Sequence, residues 1–592
     1  MFSKVLVANR GEIAVRIIRA LEELDVATVA VYSELDRDAI HVARAGEAFL
    51  LGGAAPSESY LNIERIVEVI GQSGAEAVHP GYGFLAENAA FARACEEAGI
   101  VFIGPPASAI DAMGSKTRAR ELMQAAGVPI VPGTTEAVAS VEDARAIISS
   151  DIGYPVAVKA AGGGGGKGFR VALGDEELEG AFEGAAREGE KFFGDATVYL
   201  ERYLPDPRHV EVQVLADSHG SVIHLGERDC SIQRRHQKLI EESPAPAWVV
   251  DAALRERIGK IATDATRAVD YRGAGTIEGL LQDGEYFFLE MNTRVQVEHC
   301  VTEMTTGIDI VKEGVRIAAG APLSFTQDSV VLRGHAIECR INAEDASKNF
   351  APAPGRIAAY REPSGPSVRV DSGVGPGSEI SPNYDPMVSK LIVWDIDREQ
   401  ATKRMLRALG EYEIEGLKTL LPFHATLLAT EQWREGSTCR ELLEDKTWLK
   451  SLAFDPPPKP AGEDGEPALL TQDYTVEVSG QRFAVKVIGP PPVGGASPAA
   501  NGASGARKAA PRRERSSGGG GGGDELASPM QGTVLKLAVE TGAEVQEGAL
   551  IAVIEAMKME NEITAHKAGK VAELPIAVGA AVALGDTLAV IK

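Results

Sequence analysis

Glu555-Ala556-Met557-Lys558-Met559-Glu560 sets one lysine between two methionines. Either side of it lies one version of the same apolar pattern, GTVLKLAVETGAEVQEGALIAVI (532–554) and GKVAELPIAVGAAVALGDTLAVI (569–591). Gly532, Gly542 and Gly548 recur as Gly569, Gly579 and Gly585, a constant offset of 37 residues. Short strands and glycine turns repeated at that period predict two like halves joined at a turn. The expected fold is a small, pseudo-symmetric flattened β-barrel over 524–592, with Lys558 at the tip of the joining hairpin. A lysine displayed on a rigid hairpin suits covalent attachment of a prosthetic group. A lone lysine among glutamates would read as a solvated charge, but the methionine pair and the duplication favour attachment.

Upstream, residues 489–523 are rich in Pro, Ala and Gly, with a basic patch from Arg507 to Arg515 and the run Gly518–Gly523. Too little apolar surface is present to offset the entropy of ordering, so this is expected to be a disordered tether. For about 35 residues the root-mean-square span is roughly 30–35 Å. Before it, 453–488 holds a Pro-rich linker and two alternating runs, Tyr474–Val478 and Arg482–Val485, around Ser479-Gly480-Gln481, which read as a β-hairpin.

The rest is α/β. Lys4–Ala8 and Thr28–Tyr32 are buried-strand runs around a helical pattern from Glu12 to Leu24, so 1–113 is expected to be a doubly wound parallel sheet. The turn Asn9-Arg10-Gly11-Glu12 lacks the dinucleotide-binding glycine pattern. Residues 114–330 read as two glycine-punctuated sheets and 331–452 as a further mixed α/β domain. A net charge of −25 and a pI near 5.0 argue against a nucleic-acid binder. The five cysteines are widely spaced with no C-x-x-C, which suits free thiols in a cytoplasmic protein. No apolar run is long enough for a membrane span.

Gly162–Gly166, Lys167 and Gly168 resemble a P-loop only superficially. Gly168 stands where Ser or Thr is required, and Phe169–Leu173 reads as a strand rather than a helix. The expected structure is a strand–glycine loop–strand flap after Pro155–Lys159, able to lay the backbone N–H groups of Gly164, Gly165 and Gly166 over phosphates. Glu278 and Glu290 flank the turn signal Gln282-Asp283-Gly284. A two-residue turn would set them on opposite sheet faces. A three-residue loop with Gly284 left-handed sets them on one face, diagonally adjacent, and is the expected geometry. Asn292 shares Glu290's face by period two. Oxygen donors of this kind suit Mg2+ (or Mn2+) bridging nucleotide phosphates. His209, Glu211 and Gln213 alternate along one strand, and Arg294, Gln296 and Glu298 are expected to alternate likewise.

HPGYGFLAEN (79–88), GGGGGKG (162–168), ERDCSIQRRHQK (227–238), YRGAGTIE (271–278) and EMNTRVQVEH (290–299) resemble the motifs of biotin carboxylase. The flap resembles the lid of the ATP-grasp fold, over about 131–204, and A-M-K-M resembles the attachment site of biotin carboxyl carrier domains. Nearly the whole chain is covered, in an arrangement similar to the α subunits of acetyl-/propionyl-CoA carboxylases. One departure is Cys300, where the family commonly has proline. It bears on the rigidity of that loop.

The resemblance implies a ligase that carboxylates biotin on Lys558 with ATP, Mg2+ and bicarbonate. It implies that Lys116 and Lys159 hold phosphates, that Glu201 and Leu204 contact adenine, and that His209, Gln233 and His236 line the nucleotide site. A planar bicarbonate needs a guanidinium fork and a nearby base. Arg294 is then the clamp, Lys238 a second cation, Glu298 the general base, with Gln296 and Val297 lining the anion, while Arg340 resembles the arginine that stabilises the biotin enolate. A separate carboxyltransferase β subunit carrying the acyl-CoA site, a biotin protein ligase, and a homo-oligomer within a larger complex are the implied partners. A lipoyl-type swinging arm, a noncatalytic scaffold on a degenerate ATP fold, and the biotin-carrying subunit of a pyruvate, methylcrotonyl-CoA or urea carboxylase are the competing readings.

Overall fold

The computed structural model describes residues 1–134, 136–160, 168–193, 195–452, 470–478, 481–489, 524–528, 532–556, 559–582 and 585–592. Five parallel strands open the chain, in the spatial order Glu47–Gly52, Ala27–Ser33, Lys4–Val7, Ala77–His79, Val101–Phe102. Val5, Leu6 and Val7 are all buried because helices cover both faces of the sheet, as a run without alternation requires. The strand order reverses between Lys4–Val7 and Ala77–His79, which makes the sheet doubly wound.

A three-stranded antiparallel sheet follows, in the order Phe169–Ala172, Val156–Ala160, Val198–Arg202. Lys159 pairs with Phe169, so the strand–loop–strand flap is present, although Gly164, Gly165 and Gly166 lie outside the described residues. Ala144, Ile148, Leu178 and Ala185 of the helical segments pack on Val156, Val158 and Leu200 to give this unit its own core.

An eight-stranded sheet carries the chemistry. Its order is Glu285–Asn292, Gly273–Gln282, Arg208–Ala216, Val222–Arg234, Gln237–Ser243, His335–Asn342, Met387–Asp395, Val368–Ser372. The hydrogen-bonded ladder between Gln237–Ser243 and His335–Asn342 runs straight through the 330/331 division expected from sequence. Glu242, buried at that junction, accepts from Arg398 Nε at 2.6 Å and lies 2.8 Å from His335 Nε2. Burial favours its acid form, but Arg398 and His335 outweigh that and hold its pKa at about 2, against an ordinary 4.5. A depressed carboxyl contributes stability above its unfolded pKa and loses it as pH falls through the folded one. Glu242→Gln is therefore expected to lose up to about 3 kcal/mol at neutral pH. Urea midpoints of the two proteins should converge as the pH drops from 4.5 towards 2. Midpoints that differ equally at all pH values would refute this.

The C-terminal repeat folds into two four-stranded sheets, Glu525–Ala527, Thr587–Ile591, Gly569–Glu573, Glu544–Val545 and Met559–Thr564, Leu550–Ala556, Gly532–Leu537, Ala581–Val582. Each half lends its short strand, Glu544–Val545 or Ala581–Val582, to the other half's sheet. That exchange closes the flattened barrel around Val534, Ile551, Ile554, Val571, Leu588 and Ile591. Gly542, Gly548, Gly579 and Gly585 all take positive φ, which is why glycine recurs at the 37-residue offset. Leu470–Val478 and Gln481–Gly489 form the expected hairpin, a unit of its own, with Val478 paired to Gln481. Residues 453–469, the tether 490–523, and Met557 and Lys558 lie outside the described residues.

Candidate active site

Glu278 and Glu290 stand directly opposite each other on neighbouring strands, and Thr276 opposite Asn292. The expected three-residue loop is not what puts them there. Gln282 pairs with Glu285 across a two-residue turn, with Asp283 and Gly284 both at positive φ (52° and 75°). Such a turn fits the right-handed twist of the strands. It would set the carboxylates on opposite faces, but a β-bulge at Leu289 shifts the register between Glu278/Glu290 and Gly279/Phe288 and brings them back together. The pair is directly opposed rather than diagonal.

Lys238 is the hub of the buried face. Its Nζ donates to Glu211 Oε2 (2.5 Å), Glu278 Oε1 (2.8 Å) and Glu298 Oε1 (2.7 Å). Arg340 donates from Nη2 to Glu298 Oε2 (2.9 Å) and from Nε to Glu241 Oε1 (2.5 Å). Beneath them Arg228, fully buried, donates to Glu211 Oε1 (2.6 Å), Gln213 Oε1 (2.8 Å) and Gln296 Oε1 (2.6 Å), while Gln296 Nε2 donates to Glu278 Oε1 (2.7 Å). His209 Nε2 lies 3.0 Å from Glu278 Oε2.

Burial opposes ionisation of Glu298, but Lys238, Arg340 and Arg228 outweigh it and hold its carboxyl far below the ordinary range. Glu278 is likewise pulled well down against burial, by Lys238 and His209. Burial also disfavours the Lys238 ammonium, yet Glu211, Glu298 and Glu278 drive its pKa well above the usual lysine value. Glu278 and Glu298 are thus ionised carboxylates held by cations, with Lys238 and Arg340 sharing Glu298.

Arg294, Gln296 and Glu298 do not alternate along a strand. Residues 293–298 are irregular, and Glu298 is the N-cap residue of the helix His299–Thr306. An irregular segment can aim its side chains separately. Arg294 reaches Glu87 (2.9 Å) and Asn292 Oδ1 (2.8 Å), Gln296 turns inward to Arg228, and Val297 offers its carbonyl to Lys390 (2.8 Å). Cys300 occupies the first turn of the helix, its Sγ 3.2 Å from both Asp371 Oδ2 and Lys390 Nζ, so buried contacts fix a loop that proline would otherwise stiffen.

On the lid, Lys159 is paired with Glu201, whose other oxygen accepts from Arg120 Nη1 at 2.5 Å. Leu204 follows two residues after the strand Val198–Arg202. Gln233 Nε2 donates to the Cys230 carbonyl at 2.7 Å, and His236 sits exposed in a two-residue turn at φ 63°. Lys116 begins the helix Lys116–Ala125. Its side chain, like Lys558, lies outside the described residues. Sequence reading assigned no role to Arg228, Glu241 or Glu87. Arg228 had one signal, an arginine inside a run that must be a central strand, where a buried guanidinium needs several acceptors.

A glycine-flap lid beside an antiparallel sheet that bears opposed carboxylates and lysines is the layout of an ATP-grasp ligase. Residues 1–110 match the family described as "Biotin carboxylase, N-terminal domain", 115–326 "Carbamoyl-phosphate synthase L chain, ATP binding domain", 338–445 "Biotin carboxylase C-terminal domain", and 524–591 "Biotin-requiring enzyme". The chain is 45% identical over 595 residues to the biotin-dependent acyl-coenzyme A carboxylase alpha3 subunit of Mycobacterium leprae, covering 100% of this chain and 98% of that one. It is 54% identical over 436 residues to a pyruvate carboxylase subunit of Methanothermobacter thermautotrophicus, covering 74% and 88%. Among solved structures, the biotin carboxylase domain dimer of Hydrogenobacter thermophilus 2-oxoglutarate carboxylase, in complex with MgADP, ADP and bicarbonate, superposes with a TM-score of 0.71 at 48% identity, covering 77% of this chain and 99% of that one. The chain belongs to the biotin-dependent carboxylases, as a biotin carboxylase joined to a biotin carrier domain. No helix among the described residues is long and apolar enough to cross a membrane.

Proposed function

We propose that this chain is the α subunit of an acyl-CoA carboxylase acting on acetyl- or propionyl-CoA: it carboxylates biotin held on its own Lys558 and passes the carboxyl group to a separate carboxyltransferase β subunit. The observation that carries the catalytic part is the Glu298 carboxylate, ionised and shared between Lys238 and Arg340. The acyl-CoA assignment is supported by a match along the whole chain to the α subunit of an acyl-coenzyme A carboxylase, whereas the pyruvate carboxylase subunit matches 74% of it.

Glu278, Glu290 and Asn292 fit a divalent ion, because they bring only hard oxygen donors, two of them directly opposed on adjacent strands. When bound there, Mg2+ (or Mn2+) supplies charge neutralisation between the phosphates of ATP. Lys116, Lys159 and the backbone of Gly164, Gly165 and Gly166 bind phosphates, Glu201 and Leu204 the adenine, and His209, Gln233 and His236 line the nucleotide. Arg294 and Lys238 clamp bicarbonate beside Gln296 and Val297. Glu298 takes its proton. An incoming anion competes with Glu298 for Lys238, and a carboxylate that loses a cationic neighbour becomes more basic, so binding itself primes the base. Catalysis at this stage is positioning plus neutralisation of charge on the transferring phosphoryl group. Biotin, when attached, supplies the ureido nitrogen that accepts the carboxyl group, and Arg340 stabilises negative charge beside it.

The divisions 1–113, 114–330, 331–452, 453–488, 489–523 and 524–592 are proposed as head, tether and carrier, in a cytoplasmic hetero-oligomer whose Lys558 is loaded by a biotin protein ligase. The purified chain is expected to release ADP only when bicarbonate is present. With its co-purified partner it should carboxylate short acyl-CoAs in preference to pyruvate or urea. ADP release indifferent to bicarbonate would refute the catalytic reading, and preference for pyruvate the acyl-CoA reading.

A further inference from the structure

Directly under Arg340 two glutamates face each other. Glu241 on Gln237–Ser243 is the cross-strand partner of Glu338 on His335–Asn342, and both are fully buried. Opposed residues of an antiparallel pair share a face, with Cβ atoms roughly 4.5–5.5 Å apart. Glu241 Oε1 accepts from Arg340 Nε. Glu241 Oε2 and both oxygens of Glu338 are buried without a hydrogen-bond partner among the described residues.

Among the described residues no nearby cation donates a hydrogen bond to Glu338. Arg340, on Glu338's own strand, divides its N–H groups between Glu241 and Glu298. Lys390, on the other neighbouring strand, turns to the Val297 carbonyl (2.8 Å), Cys300 Sγ (3.2 Å) and Glu12 (3.4 Å). Lys238 serves Glu211, Glu278 and Glu298. Other titratable groups around the pair are Cys339 on Glu338's own strand, Cys230 on Val222–Arg234, Glu298 and Cys300 from the helix start, Asp371 beside Lys390, and Tyr82, which donates to Glu12. Two ionised carboxylates opposed in that buried space would repel, with only Arg340 hydrogen-bonded to either of them among the described residues.

We propose that Glu241 and Glu338 hold one proton between them, and that this dyad is a positioning device for Arg340. The Glu338 carboxylic acid donates its O–H to Glu241 Oε2. The pair then presents a single negative charge to Arg340 Nε and leaves Nη2 for Glu298. When the proton is lost to solvent, the dyad becomes doubly negative and draws Arg340 from Glu298. Burial also pushes the Glu338 carboxyl well above the ordinary range, with Glu241 adding to the shift, and burial raises Glu241.

The proposal rests on the assignment of Glu298 and Arg340 to bicarbonate and biotin chemistry, and its test separates the two. In the full chain without ligands, infrared difference spectra between wild type and Glu338→Gln at neutral pH should contain the C=O stretch of one buried carboxylic acid, lost from wild type as pH rises. In bicarbonate-dependent ATP cleavage, Glu338→Gln carries the neutral isostere of the acid, so the alkaline fall in rate should move up by at least about one pH unit. Absence of the acid band from the difference spectrum overturns the dyad, and so does an alkaline limb that coincides with that of wild type. Wild type without bicarbonate-dependent cleavage refutes the catalytic reading, while the infrared result still decides the dyad.

Discussion

Chain carrying Lys558→Ala, made alongside an active biotinylating enzyme, is expected to show no avidin capture and no mass increment for biotin. The reason is local chemistry on a rigid support. Ala556 pairs with Met559, so Met557 and Lys558 are the two positions between the strands Leu550–Ala556 and Met559–Thr564. The barrel that carries them has its own core, built of residues such as Val534, Ile551, Val571 and Leu588. The substitution should therefore remove the nucleophilic amine without unfolding the domain. Lys558→Arg is the sharper version. It keeps the positive charge, but a guanidinium that stays protonated cannot form the amide. Both variants should still cleave ATP when free biotin and bicarbonate are supplied, because that chemistry belongs to residues 1–452. Capture of either variant at the wild-type level would refute biotin attachment at Lys558, and an increment matching lipoate on wild type would favour the lipoyl reading.

Glu298→Gln is expected to lower kcat/KM for bicarbonate in ATP cleavage by about 10²–10⁴-fold, the usual yield of a positioned general base. The substitution is nearly isosteric. Lys238 keeps Glu211 and Glu278, and Arg340 keeps Glu241, so the scaffold survives. KM for ATP should move little, since Glu298 contacts neither the lid nor the opposed pair Glu278 and Glu290 through its own hydrogen bonds. The pH dependence carries a second sign. Because its folded pKa is depressed, Glu298 stays ionised through the neutral range, and an acid limb due to it begins only below the ordinary value of 4.5. Retention of activity within about threefold, or an equal loss in KM for ATP, would remove Glu298 from the role of base.

The parts legible beforehand were those written in local repetition. The 37-residue offset implied a duplicated barrel because each half needs glycine at the same positive-φ turns. Phe169–Leu173 after the glycine run implied a strand, and the flap hairpin is there. The opposed glutamates were found for a partly mistaken reason. A tight Asp283–Gly284 turn and a bulge at Leu289 reach the face that a longer loop was expected to reach, and a bulge has no composition signal. Arg294, Gln296 and Glu298 were placed by strand period, but they sit in an irregular segment.

Sequence by itself therefore determined the order of units, the lysine proposed for attachment, the flap and the set of charged residues from which a site is built. Repeats, turns and side-chain periods are properties of neighbours along the chain, so they survive without tertiary structure. Only the fold decided which charges meet: Lys238 with Glu298, Arg228 with Gln296, Arg340 with Glu241, Glu241 with Glu338. Those partners are far apart in sequence and come together only when strands stack into one sheet. Burial then makes each pairing obligatory, because a charge in that interior is tolerated only beside its opposite or with a proton.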